Sequence, residues 1–252
     1  MNIGIIGIGN MGYALSAALS KKRDDSIIVY DRGKYKIPKS KNISRVNNVL
    51  DLVKSSDIIF VAVKPVDAEK LFDEISLNVK GKTLVSLVAL YPYKEILQKI
   101  PNAKICKIMT SVAAETGKAP VLAYCPKEVF ENLKDILKRI GEPYLFDERV
   151  VDALVPIAGS GPALFAYFLD SLSQYMVLAG IEKDLADKIV SFVAYSTSDY
   201  ILKNNIDLHA LIKKVTTPSG ITIKILQEFD RRTIKGNIVD SIYSKMESHL
   251  KP

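Results

Sequence analysis

Near the amino terminus, Gly7-Ile8-Gly9-Asn10-Met11-Gly12 carries the spacing G-x-G-x-x-G. The chemistry that this spacing serves is pyrophosphate binding. Its first glycine permits a tight turn, the second lets the backbone approach the phosphates, and the third lets strand and helix pack closely. Amides at the start of the following helix then face the anion. The pattern alone is weak, but its context is full. It follows the apolar run N-I-G-I-I at 2–6, opens a helical segment, and precedes a second apolar run ending at Asp31, 19 residues after Gly12. Asp31 suits a ribose 2′-hydroxyl, as in NADH, whereas Arg32 and Lys34 suit a 2′-phosphate. Lys36, Lys39, Lys41 and Arg45 continue the basic run, with no acid until Asp51. The run reads as a site for NADPH, with NADH as the alternative and a solvated basic loop as the plain structural reading. Asp31 is then expected to turn away or to orient Arg32.

Such a motif needs a sheet to hold it. Residues 2–6, 26–30, 58–63, 84–88 and 104–108 are near-continuous apolar runs, as in strands covered on both faces of a parallel sheet. Helical patterns lie at 11–22, 48–54, 67–76 and 93–99, and residues 119–124, a helix near 127–140 and a short strand near 143–146 extend the series. Alternating units of this kind predict an α/β fold, a Rossmann-type doubly wound parallel sheet over residues 1–148. After 148 the spacing is helical throughout, at 148–157, 162–180, 183–204, 207–214, 219–229 and 234–249, so 149–252 reads as an all-helical second domain. Asp184 and Pro218 are start signals for the third and fifth of these helices. The 162–180 segment is apolar nearly all round, so it is central to a bundle or crosses a subunit interface. A monomer is not expected.

Composition narrows the functional classes. The chain has 252 residues, 48% hydrophobic and 25% charged, which excludes a disordered polypeptide. Cys106 and Cys125 form no C-x-x-C pair and read as two buried thiols; His209 and His249 read as surface residues, too far apart for a metal site. The basic cluster Lys21-Lys22-Arg23 follows the first apolar stretch rather than preceding it, unlike a signal peptide. The longest uncharged run, the 17 residues from Ala153 to Leu169, contains two prolines and two glycines and is too short to span a bilayer. A soluble cytoplasmic protein is expected. The net charge of +7 is concentrated: residues 1–148 carry 23 basic and 17 acidic side chains, and the six basic residues from Arg32 to Arg45 equal that excess. The run lacks interleaved aromatics, and no helix-turn-helix or zinc pattern occurs, so nucleic acid is not the expected partner.

Four segments in order resemble the pyrroline-5-carboxylate reductase family over nearly the whole chain. They are I-G-I-I-G-I-G-N-M-G at 3–12, V-A-V-K-P at 61–65, V-D-A-L-V-P-I-A-G-S-G-P-A at 151–163, and V-T-T-P-S-G-I-T at 215–222, where the family has V-T-S-P-G-G-T-T. The resemblance implies a Rossmann domain, a helical domain that interlocks with a second subunit as a homodimer or a larger assembly of dimers, and reduction of the cyclic imine Δ1-pyrroline-5-carboxylate to L-proline. It places Val63, Lys64 and Pro65 beside the nucleotide and the active site between nicotinamide and helical dimer. It also assigns Thr222 to the ring nitrogen, with Thr217 in the same loop. Ser219, Gly220 and Ile221 are expected to offer amides to the substrate carboxylate from a helix starting near Pro218.

The chain departs from the family in several places. The family's Ser-x-x-Ala-Gly appears as Ser86-Leu87-Val88-Ala89-Leu90, without the glycine. R-x-M-P-N-T-P appears as Lys107-Ile108-Met109-Thr110-Ser111-Val112-Ala113, so hydroxyls of Thr110 or Ser111 would have to replace an amide at the nicotinamide. Ser219 stands for a glycine and Ile221 for a threonine. A paralogue acting on another cyclic imino acid, and a nucleotide-binding sensor without strong catalysis, are the alternatives these changes raise.

Overall fold

A strand covered on both faces has no solvent side to keep polar, and the apolar runs of the first half form such strands. The computed structural model describes residues 1–33 and 35–250, and for 248–250 only the backbone. Its strands are β1 (Asn2–Ile6), β2 (Ser26–Tyr30), β3 (Ile43–Arg45), β4 (Ile58–Val61), β5 (Thr83–Ser86), β6 (Lys104–Met109), β7 (Ala119–Tyr124) and β8 (Gly141–Leu145). They make one sheet in the order β3-β2-β1-β4-β5-β6-β7-β8. Helices α1 (Asn10–Leu19), α2 (Val49–Ser55), α3 (Pro65–Ile75), α4 (Tyr93–Lys99) and α5 (Lys127–Leu137) connect them. One core gathers Ile3, Ile5, Leu15, Leu19 and Phe130, a second Ile6, Leu52, Phe72 and Ile96, and a smaller third Met109, Leu122, Val151 and Ala158. This is the expected Rossmann-like sheet. Strand order reverses between β1 and β4, and that switch point is where such folds open a crevice at the strand ends.

Two sheet features differ from expectation. β3 is an added edge strand, only three residues long with two of them polar, too short to register as a pattern. β7 runs antiparallel to β6, pairing Lys107 with Tyr124 and Met109 with Leu122. A parallel return needs a crossover of a dozen or more residues, and the link here is a short 3-10 turn over Val112–Thr116, enough only to reverse direction. The same register sets Cys106 and Cys125 opposite one another. Both are buried, and the hydrogen bond with Cys125, with burial, pushes the Cys106 thiol well up.

The chain divides into two compact units, Met1–Pro162 and Ala163–Pro252. The sequence changes character earlier, at 148, yet α6 (Glu148–Ala153) and α7 (Val155–Ala158) belong to the sheet unit. The reason is partly apolar, since Val151 and Ala158 are buried against Met109 and Leu122 of the sheet, and partly electrostatic. Lys107, on β6 and only 1% exposed, extends its ammonium to Glu148 Oε1 at 3.0 Å and to Asp152 Oδ1 at 2.8 Å. Glu148 Oε1 also accepts the Tyr93 amide at 2.6 Å. Burial, with Cys125, Cys106, Tyr124 and Glu148 nearby, pushes the Tyr93 phenol up to about 12, so it stays neutral beside this cluster. The expected single helix over 148–157 is two because Pro156 is tolerated only in a first turn.

The second unit is all-helical: most of α8 (Gly161–Leu178), then α9 (Lys183–Asn204), α10 (Leu208–Lys214), α11 (Ile221–Arg231) and α12 (Ile234–Leu250). Lys183 clasps α8 to α9 through Asp170 at 2.9 Å, Asp187 and the buried Ser173 hydroxyl. The α8 side chains Phe165, Tyr167 and Leu178 are exposed in the single chain, as are Phe192 and Tyr195 of α9. Among the described residues, no helix is long and apolar enough to cross a membrane.

Candidate functional site

At the carboxyl ends of β1, β2 and β4 lies a cleft of about 320 Å³, lined by Gly7, Gly9, Asp31, Arg32, Val63 and Lys64 among others. The three glycines each have a separate reason. Gly7 has φ +92°, and a Cβ there would sit 2.7 Å from the Ala62 carbonyl oxygen. A Cβ on Gly12 would lie 1.8 Å from the Gly7 carbonyl oxygen, far inside van der Waals contact. A Cβ on Gly9 would meet nothing within 4 Å. The protein's own packing therefore demands glycine at 7 and 12 but not at 9, where only something entering the cleft would need the space.

α1 begins at Asn10 with Gly9 as its cap, no capping side chain and no acid in the first turn. The first-turn amides of Asn10, Met11 and Gly12 lack helical acceptors, as at any helix start, so an anion can take them. The residues present thus fit a dinucleotide's pyrophosphate. Pro65 opens α3, and Lys64 caps it.

Asp31 turns inward. Its carboxylate accepts the Ile8 amide at 2.6 Å and the Gly33 amide at 2.6 Å, bracing the glycine loop against the end of β2. It does not orient Arg32, whose guanidinium instead meets Asp67 Oδ1 at 2.9 Å. Lys34 lies outside the described residues. The basic run as a whole is not at the cleft, which corrects the expectation drawn from charge. β3 runs parallel to β2, so residues 35–42 must return to the amino end of the sheet. There Asn42, next to Lys41, donates to the Ser20, Lys22 and Asp25 carbonyls. Arg45 donates to the Tyr35 carbonyl, stitching the returning segment to itself. Of the described basic residues in the run, only Arg32 lines the cleft.

Thr110 and Ser111 follow β6. Ser111 Oγ accepts the Ala113 amide at 3.3 Å and is occupied as a turn cap. Thr110 is 4% exposed, and its hydroxyl has no hydrogen-bond partner. A buried, unpartnered hydroxyl is costly to leave so, which makes Thr110 rather than Ser111 the group free to meet a ligand.

In the second unit, Thr217-Pro218-Ser219-Gly220 forms a β-turn closed by the Gly220 amide on the Thr217 carbonyl at 3.1 Å. Proline second and a positive φ third are the marks of type II. Two expectations change accordingly. Pro218 lies in the turn, not in the helix, and α11 begins at Ile221. The Gly220 amide is used within the turn, leaving the first-turn amides of α11, including those of Ile221 and Thr222, to offer. Asp67 and Tyr35 line the cleft without having been singled out in the sequence. Asp67 stands two residues after the Lys-Pro pair, and the β1–β4 adjacency brings it there.

The comparisons with known proteins bear on both units. A profile for pyrroline-5-carboxylate reductase dimerisation matches residues 148–249, and one for NADP oxidoreductase, coenzyme F420-dependent, matches 2–90. The pyrroline-5-carboxylate reductase of Aquifex aeolicus is 29% identical over 96% of this chain and 94% of its own, and that of Escherichia coli 26% over 99% and 97%. This chain belongs to the pyrroline-5-carboxylate reductase family. The fold agrees with that of the Plasmodium falciparum pyrroline carboxylate reductase, solved with NADP bound, at a TM-score of 0.87 and 21% identity over 99% of this chain and 97% of that one.

Membership gives two departures a physical meaning. Leu90 has φ +56° and Ser219 φ +61°, and both are positions where the sequence resemblance leads one to expect glycine. Holding an L-residue in such a left-handed turn costs about 1–2 kcal/mol. Ser219→Gly relieves that strain while loosening the unfolded chain, so a net gain of about 0.5–1 kcal/mol is expected. In thermal melts it should raise Tm by about 1–4 °C, and a lower Tm would refute the strain argument.

Proposed function

We propose that this protein reduces Δ1-pyrroline-5-carboxylate to L-proline with NADPH, NADH serving as a second donor, and that it works in the cytoplasm as a homodimer or an assembly of dimers. The observation that carries the reading is the Gly9 opening at the head of α1, within a full-length match to reductases of this name. When bound, the reduced nicotinamide supplies a hydride. A protonated imine is already electrophilic at carbon, so the chain's task is chiefly alignment and exclusion of water.

Asp31 holds the glycine loop in shape, and the amides at the start of α1 take the pyrophosphate. Arg32, with Lys34 from the sequence, serves the 2′-phosphate, and Val63, Lys64 and Pro65 border the nucleotide. The Thr110 hydroxyl takes the place of the family's amide toward the nicotinamide, with Ser111 shaping its turn. On α11, the Ile221 and Thr222 amides receive the substrate carboxylate, and the Thr222 hydroxyl orients the ring nitrogen. Thr217 and Ser219 shape that turn, with Gly220 closing it. A neutral threonine is too weak an acid to supply the imine proton alone.

Purified protein given L-proline or thioproline at alkaline pH should reduce NADP⁺. No turnover in either direction with either nucleotide would refute the assignment. Ile221 at the start of α11, in place of the family's threonine, favours a second reading, a paralogue for another cyclic imino acid. Specific activity across ring sizes separates the two.

A further inference from the structure

Of the described cations, Arg32 is the one arginine that lines the cleft, and its charge is already engaged. Its guanidinium meets Asp67 Oδ1 at 2.9 Å, with the two side chains 54% and 41% exposed. Asp31, the residue placed to recognise an unphosphorylated ribose, is committed to the Ile8 and Gly33 amides. Asp67 is therefore the carboxylate left facing the ribose end of the cleft, and Glu74 adds a further acid to its lining. We propose that Asp67 sets the discrimination between 2′-phosphorylated and unphosphorylated dinucleotides, by holding the guanidinium that a 2′-phosphate would need. The inference rests on the dinucleotide reading of the cleft.

The topology explains why this residue is in position. β4 flanks β1 on the far side of the switch point from β2, so the first turn of α3 confronts the 31–33 loop across the crevice. A half-exposed ion pair is weak and exchangeable, so an arriving phosphate displaces the carboxylate rather than being shut out. The displaced carboxylate then stands close to a dianion, and the like charges oppose binding. An unphosphorylated ribose meets no such opposition, because its 2′-hydroxyl can donate to Asp67 while Arg32 stays paired. Asp67 thus narrows the preference for the phosphorylated nucleotide that Arg32 would otherwise confer.

The test is direct titration of the full chain, without substrate, following the fluorescence of NADPH and of NADH. Asp67→Asn should raise the ratio of the NADH to the NADPH dissociation constant about fivefold, and Asp67→Ser, which also removes the charge, should do the same. In an Arg32→Ala background, Asp67→Asn should raise that ratio by a clearly smaller factor, since the guanidinium it would free is gone and only the carboxylate's own repulsion and its bond to the 2′-hydroxyl are lost. An equal effect on both nucleotides, a shift toward NADH, or a full effect without Arg32 would overturn the inference while leaving the dinucleotide site intact. Failure of the unaltered protein to bind either nucleotide would overturn both.

Discussion

Replacing Lys107 with methionine lowers stability by about 3 kcal/mol, the low end for breaking a buried ion pair. The side chain is nearly isosteric, so packing along β6 survives and the loss is electrostatic. The Lys107 side chain is 1% exposed, while those of Glu148 and Asp152 are 27% and 22% exposed. Removing the ammonium leaves two carboxylates facing one another with partial access to water, which is why the low end applies. For a chain of this size the fall in Tm is about 6–12 °C. The same arithmetic gives the control. Lys107→Met combined with Glu148→Gln and Asp152→Asn removes all three charges, and the new glutamine amide keeps a carbonyl oxygen for the Tyr93 amide. Because neutral replacement of a whole buried cluster is often nearly free, most of the lost Tm should return. If the triple variant melts no higher than the single one, the cluster is not what fastens α6 to the sheet.

Lys107 also marks a limit of what the sequence discloses. K-I-C-K-I reads as a strand on its apolar members, and nothing local says that its second lysine is buried. Its partners arrive 41 and 45 residues later, from a helix that the change of pattern at 148 assigns to the other domain. The five long apolar strands and the helices between them were legible because a parallel sheet imposes an unbroken apolar pattern. The antiparallel turn into β7 was legible in principle, from a link too short for a crossover. At the site, the glycine spacing carried the loop, since Gly7 and Gly12 each answer a local steric demand and Gly9 keeps the space beside the helix start open. What Asp31 bonds was not legible, because a carboxylate at the end of β2 can reach either a ribose or the loop's own amides. Nor was the partner of Arg32, which the fold brings from 35 residues away. The charge run misled for a related reason: consecutive residues in a segment that crosses a sheet end at opposite sides of it.

The glycine loop supplies the sharpest contrast. Gly12→Ala is expected to damage the fold, whereas Gly9→Ala damages only what binds to it. At Gly12 the added carbon would sit 1.8 Å from the Gly7 carbonyl oxygen, and no rotamer change moves a backbone atom. α1 must shift from β1, and Gly7 cannot yield easily because its own Cβ position is closed by Ala62 at 2.7 Å. Overpacking of this kind costs about 3 kcal/mol or more, a fall in Tm of about 6 °C or beyond. At Gly9 the added carbon enters open space, so Tm should stay within about 2 °C of the unaltered protein. Nucleotide affinity tells the opposite story. A methyl group where the pyrophosphate must approach the backbone should weaken NADPH and NADH alike by about ten- to a hundredfold, equivalent to about 1.4–2.7 kcal/mol. Thermal melts with and without nucleotide separate the two effects. The unaltered protein should gain Tm from saturating NADPH, and Gly9→Ala should start at the same Tm and lose most of that gain. If Gly9→Ala keeps the full gain, the opening beside Gly9 is not where the pyrophosphate lies, and the site must be sought elsewhere along the strand ends.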